Sequence, residues 1–192
     1  MIAYPLIGNY GITEEDFETE IPTIGGLAVR DYNDTPSNFR SKRTLSEAME
    51  QYHIPGIYGI DTRKLVRSIR SLGSRKALLT NPDTTVREGL ARLKRYEIPK
   101  DAVSKVSRKE ARQYAAANGN YHVAAIDCGM KKNITYSLNK KGCNVTVLPW
   151  NSSLKDVERL NPDGVFFSNG PGDPENVEPA IELMRNLRGK YP

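Results

Sequence analysis

The sequence predicts an α/β chain in two parts: an irregular α+β half over residues 1–115 and a regular parallel-sheet half over 121–192, with a linker at 116–120. Three observations predict it. From His122 onward, short apolar runs recur about every 20 residues with a helical pattern between each pair. That is the βαβ rhythm of a parallel sheet covered on both faces. Before them stands Ala115-Ala116-Ala117, followed by the breaker Asn118-Gly119-Asn120. Ahead of the breaker the alternation is uneven, and strands and helices share no common spacing.

In the first half, residues 25–32 read as one strand after a glycine turn. Thr44 caps a helix, with Glu47 three residues on as its capping-box partner. That helix is expected to run to about His53 and to stop before Pro55. Residues 57–60 read as a short strand. Asp61 then caps a helix with Leu65, Val66, Ile69 and Leu72 on one face and Gly73 as its stop. Arg63, Lys64, Arg67 and Arg70 cover the other face. Residues 77–80 are a further strand candidate, and 84–96 a helix ended by Pro99.

In the second half, 122–126, 144–148 and 165–167 read as strands. Helices are expected over 131–141, stopped by Gly142, after Ser153 as cap, and over about 176–188. Ligands of such sheets bind beyond the carboxyl ends of the strands. Two turns lie there, Asp127-Cys128-Gly129 and Asn169-Gly170-Pro171-Gly172-Asp173.

Composition narrows the function. No run of about 18 apolar residues would span a membrane, and Met1 to Pro5 carries no basic, apolar leader pattern. Cys128 and Cys143 are too few for a disulfide framework or a four-cysteine metal site, so the chain reads as cytosolic. Without a leader, the N-x-[ST] triplets at Asn133, Asn144 and Asn151 carry no meaning. The net charge is +5. Nine Lys/Arg against four Asp/Glu between Arg87 and Arg112 account for the whole excess. Without aromatic ladders or finger spacing, this reads as a solvated helix and charged linker, not a nucleic-acid footprint. No membrane or nucleic-acid partner is expected.

The chain has no P-loop, no G-x-G-x-x-G after a strand and no G-x-S-x-G. His53 and His122 have no neighbours at metal spacing and read as structural. Cys143 reads as core. Cys128 has two readings. It precedes a helix, whose N-terminal dipole, with Lys131 and Lys132, would favour a thiolate. A nucleophile also needs a base, and His122 sits at the wrong end of the same strand. The other reading is a small, partly buried turn residue. The Gly170-Pro171-Gly172 turn is more specific. Glycines allow close backbone approach, Pro171 fixes the turn, and Asp173 can bond the local backbone. Bare N–H groups in such a turn can hold an anion or a developing oxyanion.

Longer stretches then carry a resemblance: Tyr4-Pro5-Leu6-Ile7-Gly8-Asn9-Tyr10-Gly11, Ser37-Asn38-Phe39-Arg40, Gly59-Ile60-Asp61-Thr62-Arg63-Lys64-Leu65-Val66-Arg67, Asp127-Cys128-Gly129-Met130-Lys131-Lys132-Asn133-Ile134, and Phe167-Ser168-Asn169-Gly170-Pro171-Gly172-Asp173-Pro174. Nearly the whole chain resembles the small, glutamine-hydrolysing subunit of carbamoyl-phosphate synthetase. The Ile60-Asp61-Thr62-Arg63 helix start separates it from other class I glutamine amidotransferases, which share only the Asn-Gly-Pro-Gly turn.

The resemblance implies an N-terminal small-subunit domain, then the first half of a flavodoxin-like amidotransferase domain. It implies a Cys thiolate that attacks the glutamine amide, a His that shuttles the proton and a Glu that orients the His. Ammonia would pass to the large subunit, which uses ATP and bicarbonate to make carbamoyl phosphate for pyrimidines and arginine. No cofactor is expected on this chain itself. Gly170 would give its N–H to the oxyanion, and Gly172 would contact the bound glutamine. The family's nucleophile lies in a Gly-x-Cys-x-Gly-His turn after the next strand, whereas this sequence ends at Arg188-Gly189-Lys190-Tyr191-Pro192. The family's first domain begins upstream of Met1, with a substrate-contacting Ser. The sequence is therefore expected to be an internal stretch with half an oxyanion hole and no catalytic residue. Two alternatives stand beside it: a non-catalytic docking protein for the large subunit, or part of another class I amidotransferase.

Overall fold

The computed structural model describes Ile2, Tyr4 and residues 6–192. Met1, Ala3 and Pro5 lie outside the described residues, and with them most of the stretch read for a leader. The chain divides into two compact units, Met1–Ile98 and Pro99–Pro192.

The first unit is built from short pieces. Strands β1 (Leu6–Ile7), β2 (Leu27–Ala28) and β3 (Asp31–Tyr32) precede helix α1 (Leu45–Gln51). Strand β4 (Gly56–Ile57) and helices α2 (Thr62–Leu72) and α3 (Val86–Arg95) follow. Strand β1 pairs with β3 and β2 with β4, both parallel. The single strand expected over 25–32 is thus two, because its halves take different partners. Residues 77–80 form no strand. The caps hold as read: the Thr44 hydroxyl accepts the Glu47 N–H at 3.1 Å, while the Glu47 carboxylate accepts the Thr44 N–H at 2.8 Å. Asp61 accepts the Lys64 N–H at 3.0 Å, and Gly73 ends α2 at φ 81°. A cap of this kind contributes about 1 kcal/mol.

The second unit opens with α4 (Ala102–Val106) and β5 (Arg112–Tyr114). There follow β6 (Tyr121–Asp127), α5 (Lys132–Lys140), β7 (Cys143–Pro149), α6 (Leu154–Leu160), β8 (Gly164–Phe167) and α7 (Glu178–Leu187). The sheet order is β5-β7-β6-β8, with β6 parallel to both neighbours and β5 antiparallel at one edge. Side chains alternate between its faces. Ala124, Ile126 and Leu148 pack with Val157 of α6 and Ala180, Leu183 and Leu187 of α7. Ala125, Val145 and Val147 pack with Leu138 of α5. Both faces are covered, as the spacing predicts.

The compact units divide at 98, ahead of the boundary at 115 read from the sequence. Residues 99–115 belong to the second unit because Val103 is buried in the α6/α7-side core and β5 pairs with β7. Neither was legible: α4 has five residues, and Arg112-Gln113-Tyr114 has no apolar alternation.

Candidate functional site

The two turns expected at the carboxyl ends of the strands come together. Ile126 pairs with Phe167 near the ends of β6 and β8, so the turns that follow at Cys128 and Ser168 leave the sheet next to each other. The Ser168 N–H donates to the Ile126 carbonyl at 3.0 Å, continuing the ladder. The Ser168 hydroxyl accepts the Cys128 N–H at 2.9 Å and donates to the Asn169 carbonyl at 3.0 Å.

Asp127 holds the other turn. Its Oδ1 accepts the N–H groups of Gly129 at 2.9 Å and Met130 at 2.7 Å. Its Oδ2 accepts the Arg108 N–H at 3.0 Å and lies 3.4 Å from the Arg108 guanidinium Nε. The carboxylate is buried, and these contacts replace the water it lost.

Gly170 sits directly against Cys128. A Cβ at 170 would collide with the Cys128 carbonyl oxygen and lie 3.0 Å from its Cβ. Gly129, at φ +124°, faces the same turn, with space for a Cβ only 3.3 Å from the Pro171 Cδ. Gly172 has φ +84°, in the left-handed region that favours glycine. Asp173 accepts the Glu175 N–H at 3.0 Å, the local backbone bond expected of it. The turn borders a pocket of about 290 Å³. Its polar edge is Ser168 to Gly172, and its apolar wall is Phe167, Val177, Ile181 and Met184. Among the described residues, the N–H groups of Gly170 and Gly172 have no hydrogen-bond partner.

Cys128 touches this pocket but is 7 % exposed. Burial, and then the Asp127 carboxylate, push its thiol above the ordinary value. Helix α5 begins only at Lys132, so Cys128 stands before its first turn rather than on it. His122 Nε2 lies 2.8 Å from the Thr146 hydroxyl, a core bond on β6 and β7. A slow reaction follows. Alkylation of Cys128 in the folded protein is expected to be negligible near pH 7. It should rise only above the usual thiol range or on unfolding, as read by mass spectrometry. Rapid labelling at pH 7 would contradict this. The folded state keeps this proton to higher pH than the unfolded chain. Stability from this group is therefore full below the ordinary thiol pKa and is lost as pH rises from there through the raised folded value.

The sequence singles out Gly170 and Gly172 as candidates but assigns Ser168, Asp127 and Arg108 no role. Only the presence of Ser168 and Asp127 beside the two turns could have drawn attention to them. A second concavity, of about 390 Å³, lies in the first unit between Arg30 and the basic face of α2.

Residues 1–79 match the carbamoyl-phosphate synthase small chain, CPSase domain, and 124–192 match glutamine amidotransferase class-I. The chain belongs to the carbamoyl-phosphate synthase small-chain family. The small chain of Staphylococcus epidermidis (strain ATCC 12228) is 44% identical over 189 residues, 98% of this chain and 51% of that protein. The pyrimidine-specific small chain of Bacillus subtilis (strain 168) is 44% identical over 191 residues, 100% of this chain and 52% of its own length. That of Archaeoglobus fulgidus is 45% identical over 196 residues, 100% of this chain and 54% of its own length. The chain thus spans about half the length of the curated relatives it matches. The Asp61-capped helix lies within the first matched stretch and the Gly170 turn within the second.

Proposed function

We propose that this chain supplies one wall of the glutamine-hydrolysing site of a carbamoyl-phosphate synthase small chain. The observation that carries the reading is the unpartnered Gly170 N–H at the mouth of a pocket, beyond the carboxyl end of a parallel strand. A thiolate attack on the glutamine side-chain amide would place negative charge on the former carbonyl oxygen. A backbone N–H already free of other bonds stabilises that charge without reorganisation. Collapse of the tetrahedral species would release ammonia and leave a thioester, which water converts to glutamate. Gly172 would contact the bound glutamine. The large subunit would take up the ammonia and use ATP and bicarbonate, in the cytoplasm, on the way to pyrimidines and arginine.

Within these 192 residues no thiol suits the attack. Cys128 is buried with a raised pKa, and Cys143 starts β7. The nucleophile and its His and Glu would lie in the half of the relatives' length that this chain does not span. The test uses the protein at the full length of its relatives, purified with its large subunit. It should release ammonia from glutamine, and Cys128→Ser should retain most of that activity. Loss of covalent labelling by a glutamine-analogue inhibitor in Cys128→Ser would make Cys128 the nucleophile and sink this assignment.

A further inference from the structure

We infer that Ser168 is the residue that aims the oxyanion donor; the inference rests on the reading of the Gly170 N–H as that donor. The Asn169 carbonyl and the Gly170 N–H belong to one peptide unit. Such a unit is planar, and in its trans form the C=O and N–H point in opposite directions. No peptide bond among the described residues is cis. The Ser168 hydroxyl donates to the Asn169 oxygen at 3.0 Å, which holds that carbonyl on the side of Ser168. The Gly170 N–H must then point the other way, and residue 170 lines the pocket.

The hydroxyl is itself held. It accepts the Cys128 N–H at 2.9 Å, across the join between the two strand ends. Ser168 is 8 % exposed, so water competes poorly for either bond. A serine hydroxyl has one proton to donate and lone pairs to accept; here both capacities are used, one on each turn.

The opposite orientation is easily reached without this bond. Gly170 has no Cβ, and glycine tolerates backbone conformations closed to other residues. A flip of the Asn169–Gly170 unit would turn a carbonyl oxygen toward the pocket, where it would repel an oxyanion. No other group among the described residues bonds the Asn169 carbonyl. Ser168 is thus a positioning residue: it acts on the reaction through the Gly170 amide.

The experiment uses the full-length protein with its large subunit. The variants are Ser168→Ala, Ser168→Thr and Ser168→Cys. The readouts are kcat and KM for ammonia release, and the inhibition constant of a glutamine analogue with an aldehyde in place of the amide, which forms a tetrahedral adduct on the nucleophile. Removal of a whole oxyanion donor costs about 10²–10³ in rate. A misaimed donor should cost less, so Ser168→Ala is expected to lower kcat about 10- to 100-fold with KM within about threefold. The aldehyde should bind weaker by a similar factor, and Ser168→Thr should recover most of both. Ser168→Cys keeps the volume but offers only a weak donor and acceptor. It reads the same loss if the alanine variant does not fold. Fewer folded molecules would lower apparent kcat but leave the inhibition constant unchanged. An unchanged inhibition constant, or a kcat within twofold of the original, overturns the inference. No ammonia release from the unsubstituted protein overturns the reading of the site itself, and this inference with it.

Discussion

Gly170→Ala, in the protein at the full length of its relatives, is expected to lower ammonia release by about 10²–10³. Two effects combine. An alanine Cβ would collide with the Cys128 carbonyl oxygen and crowd the carbonyl carbon at 3.2 Å. These are backbone atoms at the end of a paired strand, so they cannot swing aside as a flexible side chain would. The turn must shift instead, and the N–H moves off the line to the developing oxyanion. Overpacking of this sort also costs about 1–3 kcal/mol of stability, so the melting temperature should fall. Turnover should fall far more than glutamine binding weakens, because the donor acts on charge that exists only in the transition state. Gly172→Ala is the informative comparison. Its backbone is strained at φ +84°, but its Cβ would meet only Ala102, at 3.7 Å. Unchanged turnover in Gly170→Ala would remove the residue from the mechanism.

Residues 1–192 expressed alone are expected to release no ammonia and to melt without cooperativity. The first expectation follows from the chemistry of Cys128, the second from burial. Among the described residues of the first unit, the buried apolar ones are Val29 and Ala48, while Phe39 is 96% exposed, Tyr58 71% and Leu72 65%. Full burial of one large apolar side chain contributes about 1.5–3 kcal/mol, so a unit that leaves so many exposed has little to offset its lost chain entropy. The second unit has a better core but an open edge. Among the described residues, the outer side of β8 bonds only where the Val165 N–H reaches the Pro192 carbonyl at 3.1 Å. By the alternation of the ladder, the peptide groups of Phe167 face the same open side, and such an edge pairs with other chains. Aggregation is expected, relieved when the remaining half of a relative's length is supplied as a separate chain. Thermal unfolding, sedimentation and an ammonia assay decide it. A cooperative, monomeric melt would refute the stability half, and ammonia above background the chemical half.

Elements whose cause is local were legible in the sequence. The Thr44–Glu47 box, the Asp61 cap and the Gly73 stop act within a few residues, and each occurs where it was read. The three parallel strands were legible as apolar runs bounded by turns. Elements that exist only because a partner lies alongside were not. Arg112-Gln113-Tyr114 is a strand because β7 offers its edge, and residues 77–80 are none because no strand among the described residues pairs with them. Residues 25–32 split because the Val29 N–H bonds Ile57 while the Asn33 N–H bonds Ile7.

The same division runs through the candidate site. The family pattern, the parallel sheet and the presence of two glycines in the turn are readable from residue type and short spacing. Only the folded chain puts Cys128 as a buried wall beneath Gly170, joins 99–115 to the sheet, and sets the Ser168 hydroxyl between the Cys128 N–H and the Asn169 carbonyl. The physical reason is distance along the chain. The Cys128–Ser168 bond joins residues 40 apart and the Arg108–Asp127 bond residues 19 apart. Neither leaves a trace in local propensity, because each forms only once the sheet has brought its strand ends together.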